Sequence, residues 1–212
     1  MFLAGCAASV IDVKATAPIR QKAGYVRLLN LSSDTVGLYD RGRQMVAPVT
    51  TNTASPFTTC PSGSHTISLK GESVDLKTSI DLKPGASELI VLSYSGKTST
   101  TIEDARAPQN GHNLKLIYLN AEGSAVPAGP HVTLSHAGTR LLVSAKSPAQ
   151  TLSEGTWNVA AEGLLKAEPI EITPDTVYDL VLIRSSSGRY SELVLPHLVI
   201  DKPKLAGTAK AG

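Results

Sequence analysis

The chain has 212 residues, of which 18% are charged and 4% aromatic, and its formal net charge is +2. No basic run longer than a pair occurs, which argues against nucleic acid as a partner, because such partners require a concentrated basic face. This length suits one large domain or two small ones, and the internal repeat described below decides for two units of roughly 85 to 90 residues. Their cores must be mostly Val, Leu, Ile and Ala.

The N-terminal residues resemble a bacterial lipobox, the site at which a secreted precursor is lipidated on cysteine and cleaved before it. Leu3–Cys6 reads LAGC. A signal peptide needs a basic start and an apolar stretch of about 7 to 15 residues, so we expect the start of translation to lie upstream of Met1. The alternative is a coincidental match. Lipidation of Cys6 predicts a periplasmic lipoprotein, and Ala7 after it favours the outer membrane.

The second cysteine, Cys60, has a different expectation in each case. If Cys6 carries lipid, Cys60 is a lone thiol, which in a small β-domain is usually a buried apolar residue. Without lipid, a Cys6–Cys60 disulfide could form in an oxidising compartment. Residues 1–6 are therefore a signal-peptide remnant with its lipobox, and 7–23, which lack any period, are a tether.

Alternating apolar and polar residues separated by turns predict strands from Gly24 onward. The first runs over Tyr25–Leu31 and the second over Val36–Tyr39, and a turn follows at 40–42. Further along, Leu89–Leu92 is apolar on both faces. This pattern is typical of a central strand that is covered on two sides.

A degraded copy of the stretch from Cys60 to Tyr94 returns at Leu152–Ser185. Matched positions include Gly63 with Gly155, Gly71 with Gly163, Ile80 with Ile170, Leu82 with Ile172 and His65 with Trp157. The strand Asn113–Asn120 likewise aligns with 24–31. These matches predict a tandem duplication.

The fold class predicted is all-β: two tandem antiparallel β-sandwiches, Ig-like or jelly-roll-like, with almost no helix. The first sandwich covers 24–106 and the second 112–201. The linker is 107–111, since Pro108 and Gly111 interrupt regular structure there. The last strand candidate is 197–200, and 202–212 form a flexible tail.

No set of residues in the chain indicates catalysis, so we predict a protein that is not an enzyme and has no cofactor. The motif of a serine nucleophile elbow and that of a phosphate loop are both missing. Ser64 and His65 are adjacent on a strand, where their side chains point to opposite faces. We expect His65 to be a partly buried, hydrogen-bonded histidine.

The dispersed histidines predict no metal site. His131 and His136 come nearest to a cluster, but a separation of five residues places them on opposite faces of a strand. Zinc normally takes four ligands, and the cysteine and histidine spacing does not supply them.

The most varied exposed group is the hairpin tip Tyr39–Arg43. Arg41 and Arg43 flank a glycine and could grip a carboxylate or a sugar acid through bidentate hydrogen bonds, with Tyr39 beside them. The alternative is an ordinary solvated turn. The stretch 125–130, AVPAGP, is taken as its neutral counterpart in the second unit.

The strand GYVRLLNLSS at 24–33 is followed by a P-x-G-x-x-x-x-x-L pattern at 61–69, and the whole pattern is doubled. In these features the chain resembles the family of periplasmic accessory proteins of alginate O-acetylation, which has relatives in cellulose acetylation systems. The resemblance implies two linked β-sandwiches that help to pass acetyl groups from a membrane acyltransferase toward a polysaccharide, without an active site of their own.

The partners implied are the proteins of the acetylation complex and an anionic polysaccharide, and the lipid on Cys6 adds a membrane. The lipobox departs from the resemblance, because the alginate accessory protein is soluble and secreted. No functional residue is carried over. The rival function is an envelope or surface lipoprotein for adhesion or assembly, since duplicated sandwiches serve many roles.

Overall fold

A computed structural model of the chain describes residues 23–103, 112–120, 122–144, 150–173 and 176–198. Within these ranges every helix or strand element is a strand. The all-β class is therefore confirmed. Cys6, which we predict to be lipidated, lies outside the described residues, as do 7–22 of the predicted tether, the linker 107–111 and the tail 202–212. Ala23, assigned to the tether, is the first residue of β1.

Seventeen strands make up the described structure. Those of the first half are β1 (Ala23–Asn30), β2 (Val36–Asp40), β3 (Arg43–Val49), β4 (Thr53–Ala54), β5 (Thr58–Pro61), β6 (Gly63–Lys70), β7 (Asp75–Leu82), β8 (Ser87–Leu92) and β9 (Ser99–Glu103). Those of the second half are β10 (His112–Leu119), β11 (Val132–His136), β12 (Thr139–Val143), β13 (Gln150–Leu152), β14 (Gly155–Ala161), β15 (Ile170–Ile172), β16 (Thr176–Arg184) and β17 (Tyr190–Leu198).

The strands form four sheets, two in each half. Sheet I has the order β4-β1-β8-β9, with β5 also paired to β1, and sheet II has the order β3-β2-β6-β7. Sheet III has the order β13-β10-β16-β17, and sheet IV the order β12-β11-β14-β15. The two halves thus share a strand order, which a duplication would leave behind, although the duplication itself stays a prediction.

One pairing in each half differs from a purely antiparallel sandwich. Strand β1 lies parallel to β8, and β10 lies parallel to β16, whereas the other pairs are antiparallel. Parallel neighbours need a long crossover connection. Here the connection contains all the strands of sheet II in the first half and all those of sheet IV in the second. Sequence alternation indicates strands but gives no direction of pairing.

Each half is a sandwich with its own apolar core. Sheets I and II enclose a cluster that includes Val26, Leu38 and Ile67, and sheets III and IV enclose one that includes Leu116 and Trp157. Aliphatic residues dominate both clusters, as the composition predicts. Burying each of these side chains contributes about 1.5 to 3 kcal/mol, so the cores provide most of the stability.

A third apolar cluster joins sheet I to sheet III. Leu29 and Leu89 contribute to it from the first sandwich, and Ile117 and Val181 from the second. Sheets I and III are consequently covered on both faces, and all residues of β1 are buried. The prediction that Leu89–Leu92 lies in a doubly covered strand is confirmed.

A buried ion pair crosses the same interface. Arg27 Nη2 lies 2.6 Å from Asp179 Oδ2, and the two side chains are 3% and 0% exposed. The Arg27 guanidinium carbon also lies 4.6 Å from the ring centroid of Phe57. Breaking such a pair by removing one partner is strongly destabilising, so we expect loss of either residue to weaken the contact between the sandwiches.

A glycine from the second sandwich also approaches the first closely. Gly123 has a φ of +86°, and a Cβ atom there would stand 3.1 Å from Leu31 Cδ1 and from the backbone of Ser93. Glycine is the residue that satisfies both the positive φ and the close approach.

Two details of the predicted layout are wrong. Asn30 and Asn120 are equivalent, since each side-chain oxygen accepts the amide two residues later, so the alignment of 24–31 with Asn113–Asn120 is displaced by one residue. A slip of one residue exchanges the two faces of a strand. The predicted alignment therefore matched Val26, which is buried, to Lys115. The last described strand, β17, begins at Tyr190 rather than at 197.

Candidate functional site

The predicted tip lies on the hairpin of β2 and β3. Arg41 and Gly42 form a two-residue turn with φ values of 49° and 78°, the geometry of the favoured hairpin turns. Arg41 and Arg43 are exposed, and Tyr39 is half-buried.

The strand register separates the side chains of the tip. Tyr39 pairs with Gln44, and Asp40 pairs with Arg43. Opposed residues leave the ladder on the same face and neighbours leave on opposite faces. Arg43 therefore shares a face with Asp40, Tyr39 lies on the other, and Arg41 lies at the turn between them.

Asp40 also belongs to a polar cluster at the mouth of the first sandwich. Asp40 Oδ2 lies 3.1 Å from His65 Nδ1, and Cys60 Sγ lies 3.6 Å from His65 Nε2. The Pro61 carbonyl oxygen is 2.8 Å from the same Nε2. The side chains of His65 and Asp40 are 7% and 19% exposed, and Cys60 is 1% exposed.

The local sequence explains why these side chains meet. Asp40 follows Leu38 on the inward face of β2, and His65 precedes Ile67 on the inward face of β6. Cys60 enters from β5 in the facing sheet. The cluster thus connects the two sheets of the first sandwich.

The thiol of this cluster is not activated for nucleophilic chemistry. Burial, and then the nearby charge of Asp40, raise the pKa of Cys60 to about 11. The thiolate is the nucleophilic form of cysteine, so at neutral pH Cys60 is an unreactive thiol despite its neighbouring histidine. Sulfur, imidazole nitrogen and carboxylate oxygen are nevertheless the donor types that bind transition metals.

The expectations for His65 and Cys60 are confirmed one by one, since His65 is mostly buried and hydrogen-bonded and Cys60 is a buried thiol. Their proximity to Asp40 was missed. The alternation Leu38–Asp40 and His65–Ile67 signals that both polar residues point inward. That alternation does not show which strands pair with one another.

The counterpart of the tip in the second sandwich is the β11–β12 turn. Ala137 and Gly138 have φ values of 47° and 83°, close to those of Arg41 and Gly42. The assignment of 125–130 as the counterpart is therefore wrong, because this stretch belongs to the connection between β10 and β11.

The second sandwich closes the same end with aromatic rings. Trp157 pairs with Ile170, as His65 pairs with Ile80, so the two residues occupy matching positions in their sheets. The ring of His136 stacks on Trp157 with centroids 5.2 Å apart. His131, which with His136 came nearest to a histidine cluster in the sequence, is exposed and precedes β11.

Comparison of the sequence with protein-family models and with curated proteins gives no match. Among the described residues, no helix has the length and apolar character needed to cross a membrane.

Proposed function

We propose that this protein is a non-enzymatic accessory or scaffold protein for exopolysaccharide O-acetylation, of the alginate or cellulose type. In this proposal it resides in the periplasm and is anchored to a membrane, in the first place the outer membrane, by lipid on Cys6. The resemblance of the sequence to the acetylation accessory family supports the system, and the lipobox supports the address.

The observation that carries the proposal is the placement of Arg41 and Arg43 on a short hairpin that leaves the first sandwich. Both are exposed, and the turn that holds them has a defined geometry. Positively charged groups on a rigid element recognise carboxylates well, because little ordering is needed on binding. The tip therefore suits a uronate polymer or an acidic surface of a partner protein in the complex.

A groove on the first sandwich is a second surface that could bind a polymer, but its charges suit an anionic polymer less well than those of the tip. It encloses about 400 Å³ between β7 and strands β8 and β9, and Asp81, Lys83 and Glu88 contribute its charged groups. Two carboxylates against one ammonium disfavour an anionic polymer there. An acidic polymer would thus meet the protein at Arg41 and Arg43.

The buried cluster supports a binding role over a catalytic one. A thiol whose pKa is raised to about 11 cannot accept an acyl group readily at neutral pH. The interface ion pair Arg27–Asp179 supports a role as a scaffold, because it fixes one sandwich against the other.

The test of the tip is a binding measurement on the purified chain. Arg41→Ala/Arg43→Ala should weaken the binding of an oligouronate, or of the partner in a pull-down, by at least about 10-fold, since a desolvated charge-assisted contact contributes about 1.5 to 3 kcal/mol. Arg140→Ala/Arg189→Ala is the matched control, because these arginines are exposed and lie on the second sandwich. Equal binding by both variants would remove the tip from the proposal.

The anchor is tested separately. Radiolabelled palmitate should enter the wild-type protein and not Cys6→Ser, because the chains of a bacterial lipoprotein are attached to this thiol. Each buried methylene contributes about 0.8 kcal/mol, so several chains hold the protein firmly on the membrane. Equal labelling of both proteins would refute the anchor.

A further inference from the structure

The mouth of the first sandwich brings together three side chains with different donor atoms. Cys60 Sγ, a ring nitrogen of His65 and a carboxylate oxygen of Asp40 all lie within 4.8 Å of one another. They come from β5, β6 and β2, so three separate strands place them. Since Asp40 is 19% exposed, the cluster is reached from the solvent at the end of the sandwich.

We propose that Cys60 and His65 bind a zinc-class ion and that Asp40 orients the histidine for it. In this arrangement Cys60 Sγ and His65 Nε2 are the ligands, and water completes the coordination. The proposal is independent of acetylation and of the arginine tip.

The donor set selects the class of ion. Thiolate and imidazole suit Zn²⁺ and related transition metals, whereas Ca²⁺ and Mg²⁺ require oxygen ligands. Zinc lies about 2.3 Å from sulfur and about 2.0 to 2.1 Å from nitrogen, which puts the two donor atoms about 3.5 Å apart in a tetrahedron. Cys60 Sγ and His65 Nε2 are separated by 3.6 Å, so they need almost no movement.

Asp40 contacts the ring nitrogen of His65 that does not face Cys60. Its Oδ2 is 3.1 Å from His65 Nδ1, whereas Cys60 Sγ lies 3.6 Å from Nε2. A carboxylate placed there accepts the Nδ1 proton and leaves Nε2 free to bind the metal.

Binding of the ion is an exchange without a redox step. Nε2 of His65 lies 2.8 Å from the Pro61 carbonyl oxygen, and the ion replaces this contact. Cys60 binds as the thiolate, so its Sγ proton passes to water when Zn²⁺ binds.

The second sandwich shows that the fold does not require polar groups here. Trp157 stands where the first sandwich has His65, and it is 2% exposed and stacked on His136. An apolar ring closes this end without the desolvation cost of three polar side chains. The cluster is therefore a local feature of the first sandwich, and metal binding accounts for it.

The test is titration of the full chain with Co²⁺, a spectroscopic substitute for zinc. All proteins carry Cys6→Ser, so that Cys60 is the chain's remaining thiol. We expect one Co²⁺ per chain, a near-ultraviolet absorption from thiolate to cobalt, displacement by Zn²⁺ and release of the thiol proton. Cys60→Ala and His65→Gln should lose the absorption, and Asp40→Asn should weaken binding about 10- to 100-fold.

His136→Gln serves as the control, because this histidine closes the equivalent end of the second sandwich and should leave the titration unchanged. Thermal unfolding with and without Zn²⁺ guards against variants that do not fold, since the background protein itself should show a higher Tm with zinc. Absence of both the absorption and the Tm shift in the background protein overturns the proposal. So does an unchanged absorption in Cys60→Ala.

Discussion

At the end of the first sandwich near its hairpin tip, Asp40, Cys60 and His65 bury polar atoms beside one another, whereas Trp157 and His136 stack at the same end of the second. The strand orders around the two ends are the same. The topology therefore needs only that this space be filled. The residues that fill it can therefore differ between the two sandwiches. We place the function of the protein at this end of the first sandwich, where the polar residues lie.

The hairpin turns beside these ends also differ in polarity, since the first carries charged side chains and the second carries small ones. The turn of the first sandwich reads Asp40-Arg41-Gly42-Arg43 and that of the second His136-Ala137-Gly138-Thr139, with nearly equal φ values at the two central positions. One geometry thus presents two arginines in the first case and small side chains in the second. Under the proposed function, the first sandwich recognises the partner and the second supports it.

The support depends on the buried ion pair between the sandwiches, and breaking it should have the largest effect. Asp179→Ala leaves Arg27 buried and without its carboxylate, so the free energy of unfolding should fall by about 3 to 5 kcal/mol. The double variant Arg27→Met/Asp179→Leu should lose less stability than Asp179→Ala, since it removes both charges together. Urea unfolding measures both. Similar losses in the two variants would mean that packing rather than charge dominates.

The next effects in size should come from truncating Trp157 and His65, which occupy matching positions in the two sandwiches. The two losses of stability should differ. Trp157→Ala creates a large cavity and should cost about 3 to 5 kcal/mol. His65→Ala removes hydrogen bonds at a partly open site and should cost about 1 to 3 kcal/mol. Differential scanning calorimetry gives the comparison, and equal losses would argue against the different roles assigned to these positions.

The smallest effect concerns a carboxyl group in the second sandwich. Burial raises the pKa of Glu192 to about 7 from 4.5, and the nearby Glu168 carboxylate adds to this effect. The folded state therefore keeps this proton longer than the unfolded state does. The associated stability is present at pH 4 and is lost as the pH rises toward 7.

Glu192→Gln removes this dependence. After allowance for solvent screening, the variant should be about 1 to 2 kcal/mol more stable than wild type at pH 8, with little difference at pH 4. Chemical denaturation at several pH values measures it, and Glu122→Gln, an exposed site, is the control. A constant difference across the pH range would contradict the assignment.

Most of the fold was predictable from the sequence because alternation and turn residues act locally. Leu89–Leu92 indicated a doubly covered strand, and Gly63 and Gly155, both at positive φ, marked equivalent strand starts. The register of the opening strands was not predictable, because apolar residues on both faces of β1 remove the signal that alternation provides. The parallel pairing and the Arg27–Asp179 contact depend on distant strands, which a single sequence does not order.

The candidate site was predictable in part for the same reason. Arg41 and Arg43 flank a glycine turn that the sequence shows directly. Cys60, His65 and Asp40 were visible only as separate residues, since their meeting requires the packing of sheet I on sheet II. Donors that come from different strands leave no spacing motif.

The claim that the first tip carries recognition is tested most directly by converting it into the second. Arg41→Ala/Arg43→Thr gives the first turn the residues of Ala137-Gly138-Thr139, and Ala137 shows that alanine fits the positive φ. The measurement is the O-acetyl content of the secreted polymer in a deletion strain that expresses each variant at wild-type level. We predict acetylation close to that of the deletion strain for this variant and wild-type acetylation for Arg140→Ala/Arg189→Ala. Full acetylation with the converted tip would contradict the claim.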